Sequence, residues 1–123
     1  MDIVAVRGAT TVAPGSDEGT AMIGAVGNLV KSLVKENNIV LKKIISIQFT
    51  QTTDLNHMNA AAALRIAFPD CSGVPLFCSQ EPEVIGMLPR TVRILVTWRG
   101  KGPAVPIYMG DASILRPDLK GQQ

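Results

Sequence analysis

The sequence has few aromatic residues and little excess charge of either sign. Its 123 residues include one Trp, one Tyr and three Phe, and 12 Lys and Arg stand against 10 Asp and Glu, for a net charge of +2. The basic residues are scattered along the chain rather than clustered. Binding to nucleic acid needs a basic surface and aromatic side chains that stack on bases, so we expect no nucleic-acid partner.

Groups for covalent, metal or cofactor chemistry are equally scarce. His57 is the single histidine, and its polar segment contains no Ser or Cys nucleophile, which favours a structural or exposed role over a catalytic base. Cys71 and Cys78 lack the spacing of a zinc site, and no glycine-rich phosphate loop follows a predicted strand. The sequence therefore predicts no metal and no cofactor. Cys78 lies in a predicted strand, where a buried cysteine usually packs as a small hydrophobic residue; a role as a nucleophile is the alternative.

Long apolar runs are also missing. The longest predicted helix is interrupted by Gly and Lys, so we expect no membrane-spanning segment. The first residues carry no basic segment before an apolar core, which argues against a secretory signal. Reduced thiols at Cys71 and Cys78 and a cytoplasmic location are expected, and a disulfide between the two cysteines is the alternative.

The residues that are present predict one folded domain over residues 1–123, since 46% of them are apolar. Alternating apolar residues predict strands over 2–8, 44–50, 74–79, 91–99 and 105–108. A long helix is expected to begin after an N-cap at Ser16 and to end near Asn37. A short helix is predicted over 57–68 and a helical turn over 111–115, whereas 119–123 should form a flexible tail.

This order of elements predicts an α+β fold in which helices cover one face of a sheet. Two helices can cover one face but hardly both. Apolar residues nevertheless occur on both sides of strands, as Ile94 and Val96 do on one side and Leu95 on the other. The uncovered face therefore needs a partner, and we expect oligomerisation through the sheet.

Arginines inside strands are the clearest candidates for function. Arg7 ends the first strand, and Arg93 shares a strand face with Leu95. A guanidinium on such a face needs an anion, because burying it unpaired is costly. Glu81 is one candidate partner, but few acids lie near these residues or near Arg116, which suggests an anionic ligand such as a dicarboxylate. Ordinary salt bridges at the sheet edges are the alternative that fits the same pattern.

Several stretches together resemble one family, the monofunctional, trimeric α+β-barrel chorismate mutases. They follow the order of that family and span almost the whole chain. The stretches are VRGATTV at 6–12, TDL at 53–55, VPLFCSQE at 74–81, LPRTVR at 88–93, and Tyr108 followed by LRPDL at 115–119. Each is weak alone, but the first and last together in one short chain are quite specific.

The resemblance implies a fold and a reaction. It implies a ferredoxin-like mixed sheet with helices on one face, and three chains that form a trimeric pseudo-barrel with active sites at the subunit interfaces. The implied reaction is the pericyclic rearrangement of chorismate to prephenate in aromatic amino-acid biosynthesis. Such a reaction needs no covalent intermediate, metal or cofactor, which agrees with the scarcity of catalytic groups.

The catalytic roles are likewise implied by the resemblance. Arg93 is expected to face the ether oxygen, which gains negative charge as its bond to carbon breaks. Arg7 is expected to bind a carboxylate of the dianion. Glu81 is expected to accept a hydrogen bond from the ring hydroxyl.

The remaining substrate-binding residues come from the same matched stretches. The backbone or thiol of Cys78 is expected to contact the hydroxyl, and Tyr108 to donate to a carboxylate. Tyr108 also fits an amphipathic edge residue. Leu76 and Phe77 are expected to line the wall, and Leu115 and Arg116 to close the site.

The match departs from the family on the short helix. The family often carries an aromatic residue and, three positions later, a lysine, where this chain has Asn59 and Ala62. By the resemblance, this segment belongs to the site of the neighbouring subunit, so its departure should affect substrate affinity. Two alternatives follow: a non-catalytic trimer that binds a metabolite, or a trimeric imine or enamine deaminase, whose C-terminal pattern is not seen here.

Overall fold

The computed structural model describes residues 2–15 and 17–115. The strands are β1 (Asp2–Thr11), β2 (Ile44–Gln51), β3 (Leu76–Gln80), β4 (Thr91–Gly100) and β5 (Ile107–Tyr108), and the helices are α1 (Glu18–Glu36) and α2 (Ala60–Ala67). Short 3-10 helices cover Leu41–Lys43, Pro69–Cys71 and Gly110–Leu115. All predicted strands and helices are present, with ends displaced by a few residues. The predicted tail at 119–123 and Arg116 lie outside the described residues.

The start of α1 differs from its prediction by one residue. The N-cap is Asp17, not Ser16, because the Asp17 carboxylate accepts the backbone N–H of Thr20 at 3.0 Å and the Thr20 hydroxyl at 2.7 Å. A carboxylate at this position also suits the positive end of the helix dipole. Ser16 itself lies outside the described residues.

The five strands form one mixed sheet in the order β3-β2-β4-β1-β5. β4 runs antiparallel to β1 and β2, whereas β3 is parallel to β2 and β5 is parallel to β1. The predicted mixed α+β sheet is therefore confirmed, but the ferredoxin-like label is wrong. A ferredoxin-like chain has the order β-α-β-β-α-β, whereas here α2 carries the chain from β2 to a parallel edge strand, β3, before β4 enters between β2 and β1.

Both α-helices pack on the same face of the sheet, as predicted. Buried side chains from α1 and α2 meet the inward side chains of the strands in one core; they include Met22, Val26, Leu29, Leu33, Leu64, Val6, Ile47, Phe49, Ile94 and Val96. The helices approach closely at Gly27, where an added Cβ would stand 2.7 Å from the Cβ of Ala67. Glycine lowers the intrinsic stability of α1 here, but it permits this contact.

The opposite side of the sheet, which we call the outer face, carries the alternate side chains of the strands. On β1 these are Ile3, Ala5 and Arg7, all exposed. The exposed fractions of Ile3 and Phe77 reach 63% and 67%. The 3-10 helix Gly110–Leu115 covers only one end, where Ala9, Tyr108 and Ala112 are buried together with contacts from Leu88 and Leu115. Across the described part of the chain, neither α-helix covers the rest of this face.

No helix among residues 2–15 and 17–115 combines the length and the apolar character needed to cross a bilayer.

Candidate active site

Strand register brings the predicted arginines to one region of the outer face. Thr50 of β2 pairs with Arg93 of β4, which pairs with Ala9 of β1, and Ala9 pairs in turn with Tyr108 of β5. In the next row, Leu95 pairs with Arg7. Arg7 is thus the diagonal neighbour of Arg93 across two adjacent strands, a relation that places Cα atoms about 7–8 Å apart.

An open cavity of about 270 Å³ lies at this place. Its lining combines two cations with apolar and polar side chains of the outer face: Arg7, Gln48, Thr50, Phe77, Ser79, Arg93 and Leu95. Phe49 and Ile94 also border it, but their side chains are buried in the core on the helix side. Ligand sites usually have volumes of about 300–1,000 Å³ and enclose most of the ligand. One chain therefore supplies a shallow cationic wall rather than an enclosed pocket.

Arg93 is held by Glu81 rather than left unpaired. The Nε–H of Arg93 donates to Oε2 of Glu81 at 2.9 Å, and the Thr50 hydroxyl donates to Oε1 of the same carboxylate at 2.5 Å. Glu81 is nearly buried, with 14% of its side chain exposed, against 42% for Arg93. In the described part of the chain the terminal Nη nitrogens of Arg93 make no hydrogen bond, so they are available to an anion.

The salt-bridge interpretation of the strand arginines applies to Arg93, whereas the anionic-ligand interpretation stays a prediction. The ion pair of Arg93 with Glu81 is an ordinary salt bridge of the kind considered from the sequence. Arg7 is exposed and makes no ion pair with any residue that the structure describes. Glu81 therefore balances the charge of Arg93 alone, and Arg7 leaves the cavity with an excess of positive charge.

Cys78 presents its side chain to the helices rather than to the cavity. Its Sγ lies 3.2 Å from Oε1 of Gln51. Burial raises the pKa of the Cys78 thiol, although the backbone N–H groups of Ala60 and Ala61 oppose that effect, so the thiol is neutral at pH 7. This favours the structural interpretation over a nucleophile.

The backbone of Cys78, in contrast, is at the edge of the sheet. β3 is an edge strand. Next to its two ends, the Pro75 carbonyl accepts the N–H of Ile47 and the Glu81 N–H donates to the carbonyl of Gln51, so the odd-numbered residues of this segment face β2. Successive residues alternate in a parallel ladder, so the N–H and C=O of Cys78 point away from the sheet. Of its neighbours, Phe77 lines the cavity, whereas Leu76 packs against the core on the helix side.

Tyr108 and Leu115 lie at the covered end of the outer face. Tyr108 is 5% exposed and packs with Ala9 and Ala112, and Leu115 is partly buried against the same cluster. Through Ala9, Tyr108 shares a row with Arg93. Arg116, which was predicted to act with Leu115, lies outside the described residues.

Asn59 and Ala62 lie on the helix side of this chain, away from Arg7 and Arg93. Asn59 is the N-cap of α2, and its Oδ1 accepts the N–H groups of Ala61 at 2.8 Å and Ala62 at 3.4 Å. An asparagine just before an Ala run is a recognisable N-cap signal in the sequence. Neither residue lines the cavity of its own chain.

A second polar cluster links three segments at one end of the molecule. The carboxylate of Glu18 is 7% exposed and accepts hydrogen bonds from Nδ1 of His57 at 2.9 Å and from Nη1 of Arg90 at 3.2 Å. Burial alone would raise the pKa of Glu18, but the hydrogen bonds from His57 and Arg90 outweigh burial and hold the pKa below its usual value. The His57 side chain is 68% exposed, which agrees with the non-catalytic role expected from the sequence.

Sequence reasoning missed Thr50 as a member of the site. Threonine is common in strands, and nothing in its local pattern distinguishes it. The sequence shows only that Thr50 occupies one of the alternating outward positions of β2. That position indicates a role in the site only once the pairing of Thr50 with Arg93 is known.

Taken together, the fold and the cavity define a small α+β protein with a cationic wall on the outer face of its sheet. Two adjacent guanidinium groups suit a ligand with more than one anionic group. Among residues 2–15 and 17–115, no group of three or more His, Cys, Asp and Glu side chains could hold a metal ion.

Comparison with known proteins gives the family. The family model for chorismate mutase type I matches residues 3–119. Chorismate mutase AroH of Bacillus subtilis (strain 168) is 30% identical over 125 residues, covering 97% of this chain and 94% of that protein. AroH of Thermus thermophilus is 33% identical over 122 residues, covering 96% and 97%. The chain belongs to the chorismate mutase type I family.

A solved structure agrees with the sequence relationship. The structure of a chorismate mutase from Clostridium thermocellum matches with a TM-score of 0.81 and 27% identity, covering 89% of this chain and 97% of that chain. The shared fold is thus the mixed α+β sheet described above.

Proposed function

We propose that this chain rearranges chorismate to prephenate, the isomerase step toward the aromatic amino acids, at the arginine cavity of the outer face. The observation that carries the proposal is the placement of Arg93 beside Arg7, with the Nε of Arg93 fixed by Glu81 and its Nη nitrogens directed to no protein acceptor among the described residues. Family membership indicates chorismate as the substrate. The two arginines of the cavity provide the positive charge that binding this dianion requires.

Electrostatic stabilisation is the proposed mechanism. As the carbon–oxygen bond of the substrate stretches, the ether oxygen gains negative charge, and an Arg93 Nη–H donated to that oxygen stabilises the transition state more than the substrate. Arg7 binds a carboxylate, which holds the reacting carbons close together. Glu81 accepts the ring hydroxyl. No proton transfer and no covalent bond to the protein is required.

The surrounding residues complete the proposed substrate contacts. Phe77 forms the apolar wall beside the arginines. The outward-facing backbone of Cys78 is the part of that residue placed to reach a hydroxyl. Tyr108 lies in the row of Arg93 and donates to a carboxylate, and Leu115 with Arg116 closes the site from the C-terminal segment.

We further propose that the protein is a homotrimer with sites between subunits. The outer face leaves Ile3 and Phe77 63% and 67% exposed, and the cavity on one chain is open to one side. Asn59 and Ala62, on the far side of their own chain, can reach a cavity only on a neighbouring chain. Light scattering should give a mass three times that of the chain at micromolar concentration, and a stable monomer would contradict the shared site.

A turnover assay tests the function directly. Purified protein should consume chorismate, seen as loss of its ultraviolet absorbance, and acid treatment of the product should convert prephenate to phenylpyruvate. Binding of chorismate without turnover would instead support the non-catalytic trimer. Ammonia release from an imine or enamine substrate would support the hydrolase alternative.

Ala62→Lys should lower KM more than it raises kcat. The lysine adds a cation near a substrate carboxylate that is present in both the ground state and the transition state, so it strengthens the binding of both. Steady-state kinetics of the variant and of wild type measures KM and kcat separately. Asn28→Lys, which adds the same charge at an exposed position of α1, is the control. An unchanged or higher KM for Ala62→Lys would show that this segment is not next to the substrate.

We place the reaction in the cytoplasm. Cys71 and Cys78 are both free thiols in the structure, in agreement with a reducing compartment. Cell fractionation with an antibody to the protein tests the location.

A further inference from the structure

The Glu81 carboxylate engages Arg93 through one oxygen only. Oε2 accepts Nε–H of Arg93 at 2.9 Å, while Oε1 accepts the hydroxyl of Thr50 at 2.5 Å. Carboxylate and guanidinium groups often adopt a fork-to-fork arrangement with two parallel hydrogen bonds. The geometry here is different, because a third residue occupies the oxygen that would form the second bond.

The two arrangements differ in what they leave for a ligand. With one oxygen on Nε, all the N–H groups on the Nη nitrogens of Arg93 remain available. With both oxygens on Arg93, the carboxylate also accepts a hydrogen bond from one Nη, and both of its oxygens lie next to the guanidinium. The positive potential at the cavity is then lower, and fewer donors are directed to it.

The position of Thr50 is well fixed for this role. It lies directly opposite Arg93 on the adjacent strand, and its β-branched side chain has few rotamers. Glu81 is anchored next to it, since the Glu81 N–H donates to the Gln51 carbonyl at 2.9 Å. The hydroxyl and the carboxylate therefore meet through rigid sheet backbone.

From this geometry we propose that Thr50 is a positioning residue for the reaction: it keeps Glu81 on a single nitrogen of Arg93 and so leaves the Nη edge of Arg93 to the substrate. The catalytic part of this inference depends on the proposed function. The structural part, that the Thr50 hydroxyl holds the ion pair in its one-oxygen form, does not.

Thr50→Val removes the hydroxyl while keeping shape and strand preference. Loss of a donor that contacts developing charge costs about 10²–10³ in kcat, and an indirect change should cost less, roughly ten- to thirtyfold, with a smaller change in KM. Thr50→Ser should recover most of the rate. The matched control is Thr53→Val, which breaks a similar bond, from the Thr53 hydroxyl to Oε1 of Glu83 at 2.7 Å, outside the cavity, and should leave kcat unchanged.

A double-mutant cycle separates this role from a structural one. If Thr50 acts through Glu81, Thr50→Val should cost little further activity in an enzyme that already carries Glu81→Gln. An equal loss of kcat in both backgrounds, or wild-type kcat for folded Thr50→Val, would overturn the proposal.

A spectroscopic readout remains valid even if the protein has no mutase activity. The ¹H–¹⁵N signal of Arg93 Nε, assigned by its loss in Arg93→Lys, should shift in Thr50→Val and stay in place in Thr50→Ser. An unchanged signal in Thr50→Val refutes the role of Thr50 at the ion pair. Failure of wild type to turn over chorismate, in contrast, refutes the proposed function and leaves this measurement to decide the structural part.

Discussion

An Arg93→Ala variant is expected to remain folded while kcat falls by at least about 10²–10³, the range observed when one donor to a developing negative charge is lost. The reason is that charge on the ether oxygen appears only as the bond breaks, so Arg93 stabilises the transition state more than the bound substrate. Arg93→Lys keeps the positive charge but loses the planar fork and the Nε bond to Glu81, so it should recover only part of the rate.

The control for this prediction lies on the same strand. Arg99 is exposed on β4 and does not line the cavity, so Arg99→Ala should keep nearly wild-type kcat. Because no proton moves in the proposed reaction, kcat of wild type should show little solvent deuterium effect and no bell-shaped pH profile near neutrality. A folded Arg93→Ala protein with unchanged kcat would contradict the mechanism, and a bell-shaped profile that disappears in His57→Ala would indicate acid–base chemistry instead.

Glu18→Gln is expected to lower the free energy of unfolding at pH 7 by about 2 kcal/mol, a magnitude typical of hydrogen bonds between charged groups. The carboxylate is nearly buried and joins α1 to His57 and Arg90, so the neutral amide weakens contacts among three segments. Urea denaturation of both proteins measures the difference. Glu36→Gln, on an exposed residue at the other end of α1, is the control and should show no comparable loss.

The same variant should change how stability depends on pH. The pKa of Glu18 is lower in the folded protein than its reference value of 4.5, so the folded state favours the ionised carboxylate. Its contribution is therefore complete above about pH 4.5 and is lost as the pH falls through the lower, folded-state pKa. Wild type should lose more stability than Glu18→Gln between pH 6 and pH 3, and parallel losses in the two proteins would show that Glu18 does not contribute in this way.

The strands and helices could be predicted because the apolar residues of each recur at the spacing of a strand or of a helix. β4 alternates over its whole length, and α1 has one apolar stripe. The order of strands in the sheet could not be predicted in this way, since alternation shows which face a residue occupies and not which strand is its neighbour. The ferredoxin-like expectation came from the resemblance, and the local pattern could not correct it, because nothing local in β3 shows that it pairs in parallel with β2.

Residues of the candidate site could be predicted where a charged side chain occurs in an otherwise apolar strand. Arg7 and Arg93 are charged residues in apolar strands, which is why the sequence indicated both as candidates for an anion site. Their placement on one face beside a cavity depends on the register of β1 with β4. Thr50 was missed because threonine is a common residue in strands. Asn59 is a candidate only because the match departs from the family at this position, and its side chain caps the first turn of α2.

The central place of β4 in the sheet has a consequence for how the chain folds. β1 and β2 do not pair with each other, and both form their long antiparallel ladders with β4, where Asp2 is paired with Gly100. During synthesis, the first 90 residues can form α1 and the β2–α2–β3 unit, but β1 has no central partner until residues 91–100 emerge. Pairing of the first strand with a late one raises the average sequence separation of native contacts, which slows folding. The backbone of β1 must therefore remain without its main strand partner until nearly the whole described chain has been made, and unpaired strand edges of this kind favour aggregation during that interval.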